Sequence, residues 1–313
     1  MRVEATETGG EILAVVVLYQ LQAEASAAFL GMRHAIEGAA DTRREVELMV
    51  CDNTPYDQPA PRGFAGVYSR DPTNPGLARC YNRALARAKE RGAAWLLLLD
   101  QDTTVTPEFL HEAQRLVAEI DGRRQPGGGR ELNGSREIVA LVPKLVDARG
   151  VGMSPHPPPT WRHFGADLEW TGVAERRLCA FNSGAVVRVS AIEAIGGFRE
   201  DFPLDFLDHA TFTQMQSNGG RVYVMRSRLA HELSLSGPKR PGFSVSRHRS
   251  SVEAECRFYR EFGTAMDRLY LKTRLLRHAL GAAVKRGDWE RAGYMAAAAV
   301  GRSPVRAGRP AKR

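Results

Sequence analysis

Residues 95–105 read W-L-L-L-L-D-Q-D-T-T-V, and this run constrains the fold more than any other. Its consecutive leucines show no alternation, the mark of a strand buried on both faces in a sheet covered by helices. The strand runs directly into Asp100 and Asp102, with Gln101 between them. In an open α/β sheet ligands gather beyond the carboxyl ends of the strands, so both acids stand where a ligand would. Hard cations take carboxylate oxygens, and magnesium is commonly held by one or two carboxylates plus substrate phosphates. Acids at a strand end also serve as solvated turn residues, so the pair gains meaning only from its surroundings.

Strands and helices alternate around this run, the pattern of βαβ units. Ile12–Tyr19 reads as a first strand, followed by a helix over 24–37. Val46–Cys51 is a second strand ending in the turn cluster Asp52-Asn53-Thr54-Pro55, and Gly66–Ser69 a short third. Asn74-Pro75-Gly76 leads into a helix over 77–91. After the leucine strand, Thr106 and Pro107 begin another helix with Phe109, Ala113, Leu116, Val117 and Ile120 on one face. The glycine-rich stretch 121–136 reads as a surface loop and 151–160 as irregular. Strands are expected at 138–142, 185–189 and 221–225. Ser190 and Glu193 are spaced as a capping box for a short helix closed by Gly196-Gly197. Residues 234–251 read as a flexible basic loop, 252–300 as helical and 301–313 as a disordered basic tail. The expected organisation is an α/β domain over 1–232, a basic loop and helical region over 233–300, and the tail.

The chain has 313 residues and a net charge of +8, which favours anionic partners such as nucleotide diphosphates or acidic membrane. No Cys/His finger or aromatic–basic pattern points to nucleic acid. Cys51, Cys80, Cys179 and Cys256 are widely spaced, which fits reduced thiols rather than a disulfide framework. The first apolar run follows Glu4, Glu7 and Glu11, the wrong charge for a secretory leader. No stretch approaches the ~20 apolar residues needed to cross a bilayer. The expected location is cytoplasmic, with peripheral contact at the inner face of the cell membrane through the leucine- and arginine-rich C-terminal region. The same leucines suit packing against the α/β domain or a homodimer contact.

The successive strand ends carry Tyr19, Asp52, Asp100 and Asp102, which places one shared site along the sheet's carboxyl edge. Further motifs stand in order: V-V-V-L-Y at 15–19, C-D-N-T at 51–54, N-P-G-L-A-R-C-Y-N at 74–82, L-L-D-Q-D at 98–102, N-S-G-A at 182–185 and G-G-F-R-E-D-F-P-L-D-F-L-D at 196–208. Together, over roughly 12–232, they resemble the family 2 glycosyltransferases, and within these the rhamnosyltransferase-like branch. The resemblance implies a GT-A (Rossmann-like) fold: an α/β, mixed, mostly parallel sheet flanked by helices, here with a helical C-terminal appendage.

It also implies roles for particular residues. Asp52 would accept the imide N–H of a uracil or thymine ring, although Asp-Asn-Thr-Pro is equally good turn chemistry. Asn74 and Gly76 open a helix whose N–H groups suit a nucleotide phosphate, and they also make an ordinary cap. Asp102 resembles the direct metal ligand, with Asp100 beside it facing the ribose or holding the loop. His231 resembles the third ligand, and imidazole beside carboxylates suits Mn2+ better than Mg2+. Asp208 matches the family's catalytic base, but Leu207, His209 and Ala210 depart from its usual neighbours, which leaves Asp205 as an alternative base. The bland reading of Asp208 is a helix cap. Arg247, with Arg249, is placed to fold over a diphosphate or to lie solvated in its loop.

The function implied is an inverting, metal-dependent glycosyltransferase. It would move a sugar, rhamnose first among candidates, from a dTDP- or UDP-sugar to a hydroxyl of a cell-surface glycan or lipid-linked precursor. Two alternatives stand beside it: a nucleotidyltransferase making a nucleotide sugar, and a non-catalytic nucleotide- or glycan-binding relative. The first normally needs a glycine-rich basic loop after the first strand, where this chain has Tyr19-Gln20-Leu21-Gln22.

Overall fold

A computed structural model describes residues 12–38, 46–122, 137–159, 169–231 and 245–301. They fall into two compact units, one holding the sheet and its helices and the other the last three helices. In the first unit β1 (Ile12–Leu18) is buried along its whole length. It pairs in parallel with β2 (Val46–Asp52) on one side and β4 (Trp95–Asp100) on the other. β3 (Val67–Arg70) extends the parallel set beyond β2. Such apolar strands need helices on both faces. Phe29 and Met32 of α1 (Ala27–Glu37) and Phe109 and Leu116 of α3 (Pro107–Gly122) enter one core cluster with Ile12, Val16, Leu97 and Leu99. Burying each such side chain stabilises the fold by about 1.5–3 kcal/mol. Tyr81 of α2 (Leu77–Arg91) is likewise fully buried.

The other half of the sheet contains β5 (Ile138–Val146), β6 (Gly152–Ser154), β7 (Gly172–Val173), β8 (Ala185–Arg188) and β9 (Arg221–Ala230). The strand order is β3-β2-β1-β4-β8-β5-β9-β7, with β6 on β5. β8 is antiparallel to both β4 and β5. Because it runs backwards, the residues just before it reach the carboxyl edge of β4, which brings Ser183 to the D-Q-D turn. β9 is parallel to β5 and so ends at the same edge. Its continuation, His231, bridges to Thr103.

Several boundaries differ from expectation. α1 begins at Ala27 because Ser26 is its cap, accepting from the Phe29 N–H at 3.2 Å, and 23–25 form a separate 3-10 turn. The Ser190–Glu193 capping box does not form. α4 (Val189–Ala194) starts two residues earlier, with Arg188 at the cap position, as the Val189 N–H is held by the Ala94 carbonyl at 2.9 Å, and Ser190 lies inside the helix. β9 does not stop at Met225, since the carboxylate of Glu112 on α3 accepts from the N–H groups of Arg226 and Ser227 at 2.9 Å and carries the chain across a register shift. Residues 245–251, expected in a loop, open α6 (Val245–Phe262). The expectations for 123–136, 160, 232–244 and 302–313 fall outside the described residues.

The second unit consists of α6, α7 (Ala265–Arg286) and α8 (Trp289–Ala299), packed on one another. Thr264 and Asp267 form a reciprocal capping box at the start of α7, and Gly287 closes it in the left-handed conformation at φ 63°. No helix among the described residues is long and apolar enough to cross a membrane.

Candidate functional site

Beyond the carboxyl ends of the central strands, Asp100, Asp102 and His231 each offer a ligand atom, and these atoms lie within 4.8 Å of one another. The Nδ1 of His231 stands 3.5 Å from Oδ1 of Asp102. Two carboxylates and an imidazole on a common centre are a donor set that fits a divalent cation such as Mn2+.

Hydroxyls hold this cluster in place. Ser183 Oγ accepts the Asp100 N–H at 2.9 Å and is hydrogen-bonded to Thr103 Oγ1, which in turn lies 2.8 Å from Nδ1 of His231. One relay thus fixes the backbone at Asp100 and the orientation of the imidazole. Tyr81, buried in α2, donates its hydroxyl to Asp100 Oδ1 at 3.3 Å. Burial, then the charges of Asp102 and Asp208, push the Asp100 carboxyl up to about 7, against the opposing Tyr81 bond. A pocket that makes two carboxylates costly to ionise together is one that a cation would relieve.

Asp208 lies in the first turn of α5 (Leu207–Ser217) without capping it. The cap position is Phe206, held in the left-handed region at φ 61°. Oδ1 of Asp208 receives the N–H of His209 at 2.8 Å and faces its Nδ1 at 2.7 Å. Among the described residues Oδ2 has no hydrogen bond. Burial works against ionisation of Asp208, but the charge and hydrogen bonds of His209 outweigh it and hold the carboxyl below the ordinary range. A file of rings connects this acid to the Asp100–Asp102–His231 cluster: Phe206–His209 at 4.9 Å, His209–His156 at 5.4 Å, His156–Phe181 at 6.0 Å and Phe181–His231 at 6.2 Å between centroids. Asp205, the alternative base, is half-buried in the loop before Phe206.

The remaining expected residues are placed as follows. Tyr19 follows β1, and its N–H is held by the Gln101 side chain at 2.8 Å, which links β1 to the D-Q-D turn. Asp52 is buried, and both oxygens are engaged: Oδ1 accepts from the Thr54 N–H at 2.9 Å, Oδ2 from the Tyr68 hydroxyl at 2.7 Å, and Gln58 Nε2 approaches both. A base reaching this carboxylate would have to displace one of these donors, so in this conformation Asp52 organises the 52–58 turn. Gly76, at φ 89°, is required by the protein itself, because a Cβ there would lie 2.5 Å from the Pro203 carbonyl. That carbonyl takes the Leu77 N–H at 2.7 Å, so the first donor of α2 binds the 203 loop rather than standing open to a phosphate. Asn74 adopts φ 49° just before. Arg247 lies on α6, in the second unit, as a helical residue rather than a loop one.

Three residues of the site carried a signal too weak to read. Asn82, which from the sequence suits a solvent face equally well, clamps the backbone of Phe198 from both sides at 2.8 Å and fixes the loop leading to Asp208. A Cβ at its neighbour Gly197, which adopts φ 90°, would stand 2.9 Å from Asn82 Oδ1 and push against this clamp. Thr103 and His156 have no motif at all. Among the described residues the non-glycine positions with positive φ are Gln20, Asn74 and Phe206, and all three fall in loops beside this edge, where backbone strain concentrates at functional sites.

No family model matches this chain, and no curated protein matches it. Solved structures do. That of S. aureus TarS 1–349 in complex with UDP-GlcNAc aligns with a TM-score of 0.52 and 15% identity, over 92% of this chain and 81% of that one. Another of S. aureus TarS 1–349 aligns with a TM-score of 0.47 and 14% identity, over 94% and 89% of the two chains. At such identity the likeness speaks to fold. The chain has the GT-A fold, a mixed, mostly parallel sheet flanked by helices and followed by a helical C-terminal region.

Proposed function

We propose that this chain is an inverting, cation-assisted glycosyltransferase that uses a uridine or thymidine diphosphate sugar. The observation that carries the reading is the convergence on one sheet edge of a two-carboxylate, one-imidazole cluster with a separate ionised carboxylate, Asp208. A Mn2+ or Mg2+ held by Asp100, Asp102 and His231 would supply charge neutralisation for the departing diphosphate.

The chain's own residues then have distinct tasks. Asp208 removes the proton of the acceptor hydroxyl through Oδ2, while His209 holds Oδ1 and keeps the group anionic. Ser183 and Thr103 keep His231 and the D-Q-D turn in register. The Asp52 turn and Tyr19 border the space for the nucleotide. The sequence resemblance favours dTDP-rhamnose as donor, whereas the fold neighbour's UDP-GlcNAc favours a uridine sugar. The acceptor is a hydroxyl of a cell-surface glycan or a lipid-linked precursor.

Two measurements test this. In a thermal-shift panel of UDP, TDP, GDP and ADP, UDP or TDP should stabilise the protein and should do so only with Mn2+ or Mg2+ present. Stabilisation by purine nucleotides alone would overturn the donor class. Asp208→Asn should retain that shift yet lower turnover by roughly 10²–10⁴-fold. A crippled Asp205→Asn beside a mild Asp208→Asn would move the base upstream.

A further inference from the structure

α7 is apolar on two faces, and only one of them is used inside its unit. Leu271, Leu275, Ala279 and Ala282 are buried. Leu269, Leu276, Leu280 and Val284 are spaced by seven, four and four residues, which aligns them on another face of the helix. They are between 48 and 73% exposed and form a stripe about 22 Å long. The leucines of this region therefore do not act together: Leu275 packs inward while Leu276, its neighbour, points outward.

Charge identifies what the outer face meets. α7 carries six basic residues, Arg268, Lys272, Arg274, Arg277, Lys285 and Arg286, against one acid, Asp267. That acid is buried and bonded in the capping box, and Arg274 pairs with Glu255. By helical rotation Lys272 and Arg277 fall on opposite sides of the apolar stripe, and both are exposed. A second copy laid on this stripe would bring its own Lys272 and Arg277 against these, with no exposed carboxylate on the helix to meet them. An anionic lipid surface satisfies both features at once, taking the apolar stripe into the acyl boundary and the flanking bases at the headgroups. Trp289, which opens the next helix, is 73% exposed and of the kind that settles at such an interface.

We infer that the outer face of α7 is a peripheral membrane-docking surface for anionic lipid, through Leu269, Leu276, Leu280 and Val284 flanked by Lys272 and Arg277. This inference is independent of the proposed chemistry. The test is flotation of the full chain with vesicles of phosphatidylcholine alone or mixed with phosphatidylglycerol, alongside light scattering for oligomeric state. The wild type should float with the mixed vesicles at least about tenfold better than with neutral ones, and should lose this in high salt. Leu276→Glu with Leu280→Glu should abolish flotation without changing the melting temperature, since both side chains are solvent-facing. Lys272→Glu with Arg277→Glu should reduce it about tenfold or more, and decides the matter if the leucine variant fails to fold. Absence of flotation by the wild type, unchanged flotation of the charge variant, or a wild-type dimer that the leucine substitutions dissociate would each overturn the assignment.

Discussion

At the amino end of β4, Arg188 lies 4.2 Å above the Trp95 ring and pairs with Asp121 at 2.7 Å and Glu137 at 2.8 Å. Trp95 Nε1 donates to the same Asp121 carboxylate at 2.9 Å. At the carboxyl end of the same strand, Asp100 has Asp102 and Asp208 as its charged neighbours, and its carboxyl is driven up. The strand is the same; the handling of charge is opposite. The amino end gives each buried ion a counter-ion within the protein and so contributes rigidity. The carboxyl end keeps like charges together, held there by Tyr81 and the Ser183–Thr103 relay. Such an arrangement is unfavourable in isolation and would be relieved by a cation, which separates a charge-compensated end of the sheet from a charge-crowded one.

The largest effect expected from breaking this contrast is on activity. Asp102→Ala should lower transfer by about 10³-fold or more, since the several kcal/mol that a held cation contributes to the departing charge would go with it. Its melting temperature should be close to wild type, because the carboxylate stands at a strand end. Transfer that survives both this substitution and chelation would show that the carboxyl edge is not a cation site.

Next comes stability at the other end. Arg188→Ala should cost about 3–5 kcal/mol in chemical denaturation, because two carboxylates lose their shared counter-ion. Nucleotide-induced shifts should persist wherever that variant is folded. A loss below about 1 kcal/mol would mean that the amino-end pairing is no better compensated than the site.

The smallest effect has the opposite sign. Asp100→Asn should raise the stability of the metal-free protein by about 0.5–2 kcal/mol, as relief of a destabilised site does. It should also flatten a pH dependence. In the folded wild type Asp100 titrates at about 7, above the ~4 of an exposed carboxyl. Between those values the folded state keeps a proton that the unfolded state has released. The contribution of Asp100 to the stability of the metal-free protein is therefore full below pH ~4 and is lost as pH rises toward neutrality. Unfolding midpoints across this window that are identical in the two proteins would remove Asp100 from the crowded cluster.

The sequence by itself determined the elements whose signal is local. The unbroken leucines of 96–99 fixed a doubly covered strand, the Thr106-Pro107 start fixed α3, and D-Q-D at a strand end marked the sheet edge where Asp100, Asp102 and His231 converge. The resemblance implied a histidine beside those acids, and His231 stands there. What only the tertiary structure decided were contacts between residues distant along the chain. Ser183 serves Asp100 because β8 runs backwards beside β4, and no periodicity announces the direction of a short apolar strand. Asn82 clamps Phe198 across 116 residues, Gly76 yields to Pro203, and Leu275 and Leu276 part company on α7. The physical reason is the same in each case. Hydrophobic pattern and turn chemistry act over a few residues and are written in the sequence, whereas the partner of a buried polar group is set by topology, which brings together side chains that carry no mark of each other.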